Sequence, residues 1–347
     1  MQSLLCLVPF FFLSSIYAQE DSIPVFERRE DSLSVFFEFG SFAIDYATDA
    51  TLMALADRWK TESNFVVMVR AHTDSVGQSE YNQKLSADRA GAVRDRLQAH
   101  GLSGIKMEVR ALGGSQPKAS NSDAEGRKLN RRADIIIFRT AQGMRLRGSL
   151  VDGSTGQGVP GQVTASSQFG TSMPAPTRAD GSFEIVVPKG EVIKLELSAP
   201  GYFYLTKMMR IGPAEVLEPL NIPMPPVVSG AVFEMQDMLF VGGQAVLLEQ
   251  SKPQLSRLLR FMQENPAIRI EIAGHVNVPD TPKIATSSPE YRLSVARAKM
   301  VYEYLIENGI LENRMEYNGY GNWEMLYPKA VAEKYQQKNR RVEIRIL

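Results

Sequence analysis

Leu85-Ser86-Ala87-Asp88-Arg89-Ala90 returns later in the chain as Leu293-Ser294-Val295-Ala296-Arg297-Ala298, and this repetition decides how the whole sequence reads. In both places a spacing of four continues: Leu85, Arg89, Val93, Leu97 and Leu293, Arg297, Val301, Leu305. That spacing lines one stripe of a helix. An arginine on an apolar stripe is the anomaly. Its guanidinium cannot shed its proton, and burying it is costly unless a partner meets the charge.

Working outward, the two regions stay in register. Val35-Phe36-Phe37-Glu38-Phe39-Gly40 reads as a strand ending in glycine, followed by Leu52, Leu55, Ala56 and Trp59 at helical spacing. The strand Phe65 to Ala71 then leads into His72-Thr73-Asp74. The later region has Met238-Leu239-Phe240-Val241-Gly242, then Leu255, Leu258, Leu259 and Met262, then the strand Ile268 to Ala273 and Gly274-His275-Val276-Asn277. Gly40 to His72 is 32 positions and Gly242 to His275 is 33. Asn130-Arg131-Arg132 matches Asn339-Arg340-Arg341, and alternating strands, Ala133 to Phe138 and Val342 to Ile346, close the copies. Each copy is expected to run strand–helix–strand–helix–strand–helix–strand, with helices covering a sheet.

Between the copies, from Met144 to about Met224, short alternating strands alternate with turn residues such as Val151-Asp152-Gly153, Ala179-Asp180-Gly181 and Pro188-Lys189-Gly190. This predicts a small all-β sandwich. Pro213, Pro219, Pro223, Pro225 and Pro226 read as a stiff linker into the second copy. The predicted fold class is α+β: two α/β sandwich domains (βαβαβ-αβ) at 33–140 and 232–347, separated by the all-β segment at 145–222.

Composition narrows the function. Lys+Arg and Asp+Glu both number 39 in 347 residues, so the basic excess of a nucleic-acid binder is absent. One cysteine forms neither a disulfide framework nor a cysteine-based zinc site. Residues 1–18 carry no charged side chain, hold an apolar run from Leu4 to Leu13, and end Ser15-Ile16-Tyr17-Ala18. They resemble a secretory signal peptide cut after Ala18. The run is shorter than the roughly 20 residues of a spanning helix. Cleavage removes Cys6, leaving a mature chain that works outside the cytoplasm without disulfides. No alternating series of ten-residue strands suggests an outer-membrane barrel.

For the anomalous Arg89, the local acidic partner is Asp74, in the turn-prone Thr73-Asp74-Ser75-Val76-Gly77. Two readings are open: a salt bridge that orients loop and helix, or an accessible couple that clamps a ligand carrying both ammonium and carboxylate. The residues Ala71 to Gly77, Tyr81-Asn82, Leu85 to Ala90 and Asn130-Arg131-Arg132 together resemble the OmpA-like peptidoglycan-binding domain. The resemblance covers both copies, about two thirds of the chain. It implies that Asp74 and Arg89 hold the free end of the diaminopimelate side chain of a peptidoglycan stem peptide, with Asn82 adding an amide contact. It leaves Arg131 and Arg132 either closing the domain or touching ligand.

The second copy departs from this pattern. Asn277 stands where the family has Asp, and 20 residues rather than fifteen separate it from Arg297. The degenerate site Asn277 and Arg297 has then either lost ligand or changed it, with Asp280 a possible substitute carboxylate. The middle segment, through Thr177 to Phe183 and Ser198 to Tyr202, looks like a carboxypeptidase regulatory-like (transthyretin-like) sandwich.

An enzyme is not expected. His72, His100 and His275 make no metal-spaced pair, and no Gly-x-Ser-x-Gly elbow or phosphate-cradling loop occurs. His72 and His275 read as packing or supporting residues. The expectation is a non-catalytic protein of the Gram-negative envelope, exported to the periplasm and associated with the outer membrane. It would bind peptidoglycan, use no cofactor or metal, and attach through an envelope protein partner. The alternative is an assembly scaffold of a secretion or motility complex, and a further one a cell-wall hydrolase.

Overall fold

A computed structural model describes residues 23–212, 218–234, 238–241 and 243–347. The expected export signal, Cys6, Pro213 and Gly242 lie outside the described residues. Among those described, no helix is long and apolar enough to cross a membrane.

The first copy comprises β1 (Val25–Phe36), α1 (Tyr46–Trp59), β2 (Phe65–Ala71), α2 (Ser79–Leu97), β3 (Met107–Ala111), α3 (Ala124–Asn130) and β4 (Arg132–Asp152). Asp45 caps α1 by accepting from the Thr48 amide, and Asp123 caps α3 through the Gly126 amide. Alternation in Phe65–Ala71 buries Phe65, Val67, Val69 and Ala71 on one face. That face meets Leu52, Leu55, Ala56 and Trp59 of α1 and Val93 and Leu97 of α2 in one apolar cluster. The strand order is β1-β4-β2-β3, with only β2 and β3 parallel.

The middle holds β5 (Gln162–Ser167), β6 (Gly170–Thr171), β7 (Ala175–Pro176), β8 (Ser182–Pro188), β9 (Val192–Ser198), β10 (Leu205–Arg210) and β11 (Leu220–Met224). β10-β9-β5-β6 form one sheet, with β7 also on β5, while β8 and β11 flank the far half of β4. Leu146, Leu150, Phe183 and Ile185 from one side share a buried cluster with Val163, Ile193, Leu195 and Leu197 from the other.

The second copy comprises β12 (Val232–Glu234), α4 (Lys252–Glu264), β13 (Ile270–His275), α5 (Pro289–Glu307), β14 (Met315–Gly321), α6 (Glu333–Asn339) and β15 (Val342–Ile346). Its order, β12-β15-β13-β14 with β13 and β14 parallel, reproduces the first sheet.

Four expectations need correction. The closing strand predicted over Ala133 to Phe138 is the near half of the 21-residue β4, which pairs β2 up to Arg139, β1 up to Gln142 and β8 from Gly143. It runs unbroken through the expected junction at 140–145. The strand read at Val35 to Gly40 starts at Val25 and stops at Phe36, because the Glu38 and Ser41 carbonyls turn to α2 instead of a ladder. Among the described residues the first strand of the second copy is Val232–Glu234, and within the run expected from Met238 to Gly242 Phe240 makes an isolated bridge to Leu247. Finally, Pro223 and Pro225 of the expected stiff linker are part of the folded middle segment. Pro223 sits in edge strand β11, where a missing amide is tolerated, and the Pro225 carbonyl accepts from the Phe203 amide.

Phe203 reaches from the middle segment into the core of the second copy. Its ring stacks on Phe233 at 5.5 Å and on Phe261 at 5.9 Å. Around it, the Gly201 amide donates to Asn265 Oδ1 at 2.6 Å, and Arg257 pairs with Glu196.

Candidate functional site

The candidate site of the first copy lies where β2, α2 and the loop after α3 meet. The stripe on α2 is buried as its spacing predicts, Leu85 at 7% exposure and Arg89, Val93 and Leu97 at 0%. The guanidinium of Arg89 sits over the Phe37 ring at 5.0 Å. Its Nε donates to the Ser41 carbonyl at 2.8 Å, Nη1 to the His72 carbonyl at 2.8 Å and Nη2 to the Glu38 carbonyl at 3.1 Å. Burial pulls Arg89 down to about 10, with nearby Asp74 opposing that fall and Arg131 adding to it. Arg89 therefore stays cationic at neutral pH.

Asp74 is 3% exposed, two residues beyond the buried His72. Its Oδ1 accepts from the Val76 amide at 3.1 Å, a closed turn that fixes the carboxylate, and its Oδ2 accepts from Arg131 Nη1 at 3.0 Å. The direct ion pair of Asp74 is thus with Arg131. The expected Asp74–Arg89 salt bridge is replaced by proximity, because three main-chain carbonyls occupy the Arg89 fork. Arg132, the other half of the doublet, turns away and pairs with Asp134 at 3.1 Å. Arg131 caps α3 whereas Arg132 opens β4, and this change of backbone separates the two arginines.

Asp74, Arg89, Arg131 and Asn82 line one small surface pocket, with Phe39, Gly40, Thr73, Val76, Tyr81 and Leu85 completing its wall. Asn82 Nδ2 donates to the Val76 carbonyl at 3.1 Å, so its amide holds the loop. Phe39, Val76 and Tyr81 are exposed and give the pocket an apolar rim. Gly40 and Gly77 have φ of +65° and +98°, a region glycine enters without strain.

Two supporting residues escaped the sequence reading, although the repeat marked both. Ser86 is fully buried and accepts from the Gly113 amide at 3.0 Å; its counterpart Ser294 accepts from Gly321 at the same distance. Asn130 accepts from the Lys118 and Ala119 amides and donates to Asn121 Oδ1, which in turn accepts from the Ser75 amide at 3.1 Å. One amide chain thereby connects the Asn130-Arg131-Arg132 segment to the Asp74 loop.

The second copy repeats the frame with different contents. Arg297 is 2% exposed and sits over Phe240 at 4.8 Å. Among the described residues its single hydrogen bond runs from Nε to the Gln244 carbonyl at 3.2 Å, and Nη1 is buried without a partner. Burial pulls Arg297 down to about 10, and Arg340 pushes the same way. Asn277 stands in the place of Asp74. Its Oδ1 accepts from Asn339 Nδ2 at 2.8 Å and its Nδ2 donates to Gln336 at 3.4 Å. Asp280, the other carboxylate considered for this site, is exposed, and its backbone amide donates to the Pro328 carbonyl.

His72 and His275 occupy matched strand ends. His72 Nε2 lies 3.4 Å from Asp134 and His275 Nε2 lies 3.3 Å from Glu343. Burial tends to raise Asp134, but the close His72 ring, a hydrogen bond from Ser34 and the Arg132 charge hold it below its usual value. Burial also tends to raise Glu343, and His275 with Arg341 brings it down to about 2. Burial pushes His275 itself down, with Glu343 opposing. His275, Glu324 and Glu343 place potential metal-ligand atoms within 4.8 Å of one another. Arg341 and Arg345 already take up those carboxylates, so guanidinium groups occupy the positions a cation would use.

Comparison with known proteins adds the lineage. Outer membrane porin F of Pseudomonas aeruginosa is 42% identical over 111 residues, which cover 32% of this chain and 32% of the porin. The peptidoglycan-binding protein ArfA of Mycobacterium tuberculosis is 38% identical over 86 residues, 25% of this chain and 26% of ArfA. The chain thus spans about a third or less of the length of these two relatives. The crystal structure of the peptidoglycan-associated lipoprotein from Burkholderia pseudomallei is 34% identical, covers 30% of this chain and 88% of its own, and has a TM-score of 0.28. The sequence signature described as the OmpA family matches residues 36–131 and 239–340, more than half of the chain and both copies of the repeat. The protein belongs to the OmpA family.

Proposed function

We propose that the protein is a non-catalytic component of the cell envelope that binds peptidoglycan without a covalent bond, mainly through its first copy. The ligand is the free end of diaminopimelate in the stem peptide. Asp74 accepts hydrogen bonds from the ammonium, and the Arg89–Arg131 pair faces the carboxylate. The single observation that carries this reading is that Asp74, Arg89 and Arg131 line one pocket, so both signs of charge meet a zwitterion within one side chain's width. The named peptidoglycan-binding relative supports it. In the same reading the chain is exported, works in the periplasm beside the outer membrane, and is organised as two OmpA-like domains around a carboxypeptidase regulatory-like sandwich.

Co-sedimentation of the chain with purified peptidoglycan sacculi tests the assignment. Wild type is expected to sediment and Asp74→Asn, which keeps the side-chain shape, to remain largely in solution. Equal sedimentation of both would overturn the site. Release of soluble fragments from the sacculi would instead favour a hydrolase.

A scaffold role in a larger envelope assembly has one observation in its favour. Phe203 ties the middle segment to the second copy, whose site lacks the acidic residue. If this reading holds, a Phe203→Ala chain still binds sacculi but loses its protein partner in cross-linking. Retention of the same cross-links would remove the argument.

A further inference from the structure

We infer that the surroundings of Arg297 in the second copy form an oxyanion site: they take a carboxylate that has no neighbouring ammonium. This goes beyond the reading of the first copy and does not depend on it. The argument starts from unused donors. Arg89 spends Nε, Nη1 and Nη2 on three carbonyls. Arg297, equally buried, spends only Nε, on Gln244, and leaves Nη1 enclosed without a partner. A buried guanidinium with an unpaired Nη1 carries a desolvation cost that the Phe240 ring and the Gln244 carbonyl offset only in part.

The surroundings specify the sign of the missing group. Arg340, at the position matching Arg131, acts on Arg297 as a second positive charge. Its own counter-charge is Glu333, which is largely exposed. At the position of Asp74 stands Asn277, an amide already engaged by Asn339 and Gln336. An ammonium arriving here would meet two cations, with an amide where the first copy has Asp74 and with Glu333 already paired to Arg340. A carboxylate would meet a planar fork with free donors, which suits a two-oxygen acceptor. Phe240 closes the opposite face of that fork and orients it. The exchange of Asp for Asn therefore inverts selectivity instead of abolishing binding.

Pimelate and diaminopimelate test this directly, since they share a chain length and differ only in the ammonium groups. Hydrogen exchange on the full chain reads the two copies separately, through peptides within 289–307 and within 79–97. Pimelate is expected to protect the 289–307 segment at a concentration about tenfold below that at which diaminopimelate does. Arg297→Met is expected to remove this protection. Asn277→Asp, which restores the carboxylate, is expected to reverse the order of the two ligands and guards against a folding defect in the first variant. Three results would each overturn the inference: no protection by pimelate, equal protection by both ligands, or protection that survives Arg297→Met. Failure of the diaminopimelate reading in the first copy would show only in the 79–97 segment, so the two outcomes are distinguishable.

Discussion

The two copies share a strand order, a buried arginine over an aromatic ring, a serine under the loop and a histidine–carboxylate pair, yet they solve the arginine's charge differently. In the first copy, three carbonyls and a nearby Asp74 surround Arg89. In the second, one carbonyl and a like-charged Arg340 surround Arg297. The frame is thus separable from the ligand chemistry. The frame is common to both copies; in the proposed reading the charge that the ligand meets is set by the residue two places beyond the matched histidine, Asp74 in one copy and Asn277 in the other.

The largest test of that contrast concerns stability. Arg89→Met leaves three main-chain carbonyls without their donor and is expected to destabilise the first copy by about 3–5 kcal/mol. Arg297→Met removes one hydrogen bond and an uncompensated charge, so its cost is expected to stay within about 1 kcal/mol. Copy-resolved hydrogen exchange is the proper readout, because a chain with three apolar clusters need not unfold in one step. Equal losses in the two copies would break the comparison.

Next comes affinity. Asp74→Asn makes the first site resemble the second and is expected to weaken diaminopimelate binding by about 10–100-fold, measured by calorimetric titration. An unchanged constant would show that Arg131 alone holds the Asp74 loop for some other purpose. Similar in energy is the support beneath the site. Asn130→Ala deletes the bonds to Lys118, Ala119 and Asn121 and is expected to cost about 1–3 kcal/mol while loosening the Ser75 amide. Asn339→Ala should act on the second copy in the same way, since Asn339 bonds Tyr327 and Asn277. Normal exchange at Ser75 in Asn130→Ala would refute the amide chain.

The smallest expected effect is on pH dependence. Burial lowers His275 below its ordinary 6.5, so on acidification the unfolded chain takes up this proton before the folded one. Stability of the second copy is therefore full above about 6.5 and falls as pH drops below it. Glu343, held down to about 2, contributes stability above its ordinary 4.5 that is lost toward pH 2. His275→Gln is expected to flatten the upper of these two steps in a thermal melt series. An unchanged profile would mean that another group titrates there.

Much of the frame was legible in the sequence because periodicity is a local property. Four-residue spacing on α2 and α5 and alternation in β2 mark the buried faces whatever lies across from them. The repeat then put Asp74, Asn82 and Arg89 in one neighbourhood, and the structure gathers them around one pocket. The pairing within that pocket was not legible. Whether Asp74 meets Arg89 or Arg131 depends on which carbonyls occupy the Arg89 guanidinium, and two of the three belong to Glu38 and Ser41, about fifty residues away.

The same division holds across the chain. The sequence by itself determined the two copies, the all-β character between them and the loss of one negative charge at Asn277, since each is written in residue type and spacing. Only the tertiary structure decided that β4 runs through from the first copy into the middle sheet, that Phe203 docks into the second core, and that Arg297 Nη1 is enclosed without a partner among the described residues. These rest on contacts between residues far apart in sequence. Their geometry follows from how whole layers pack, and no local pattern encodes which distant carbonyl, ring or carboxylate arrives.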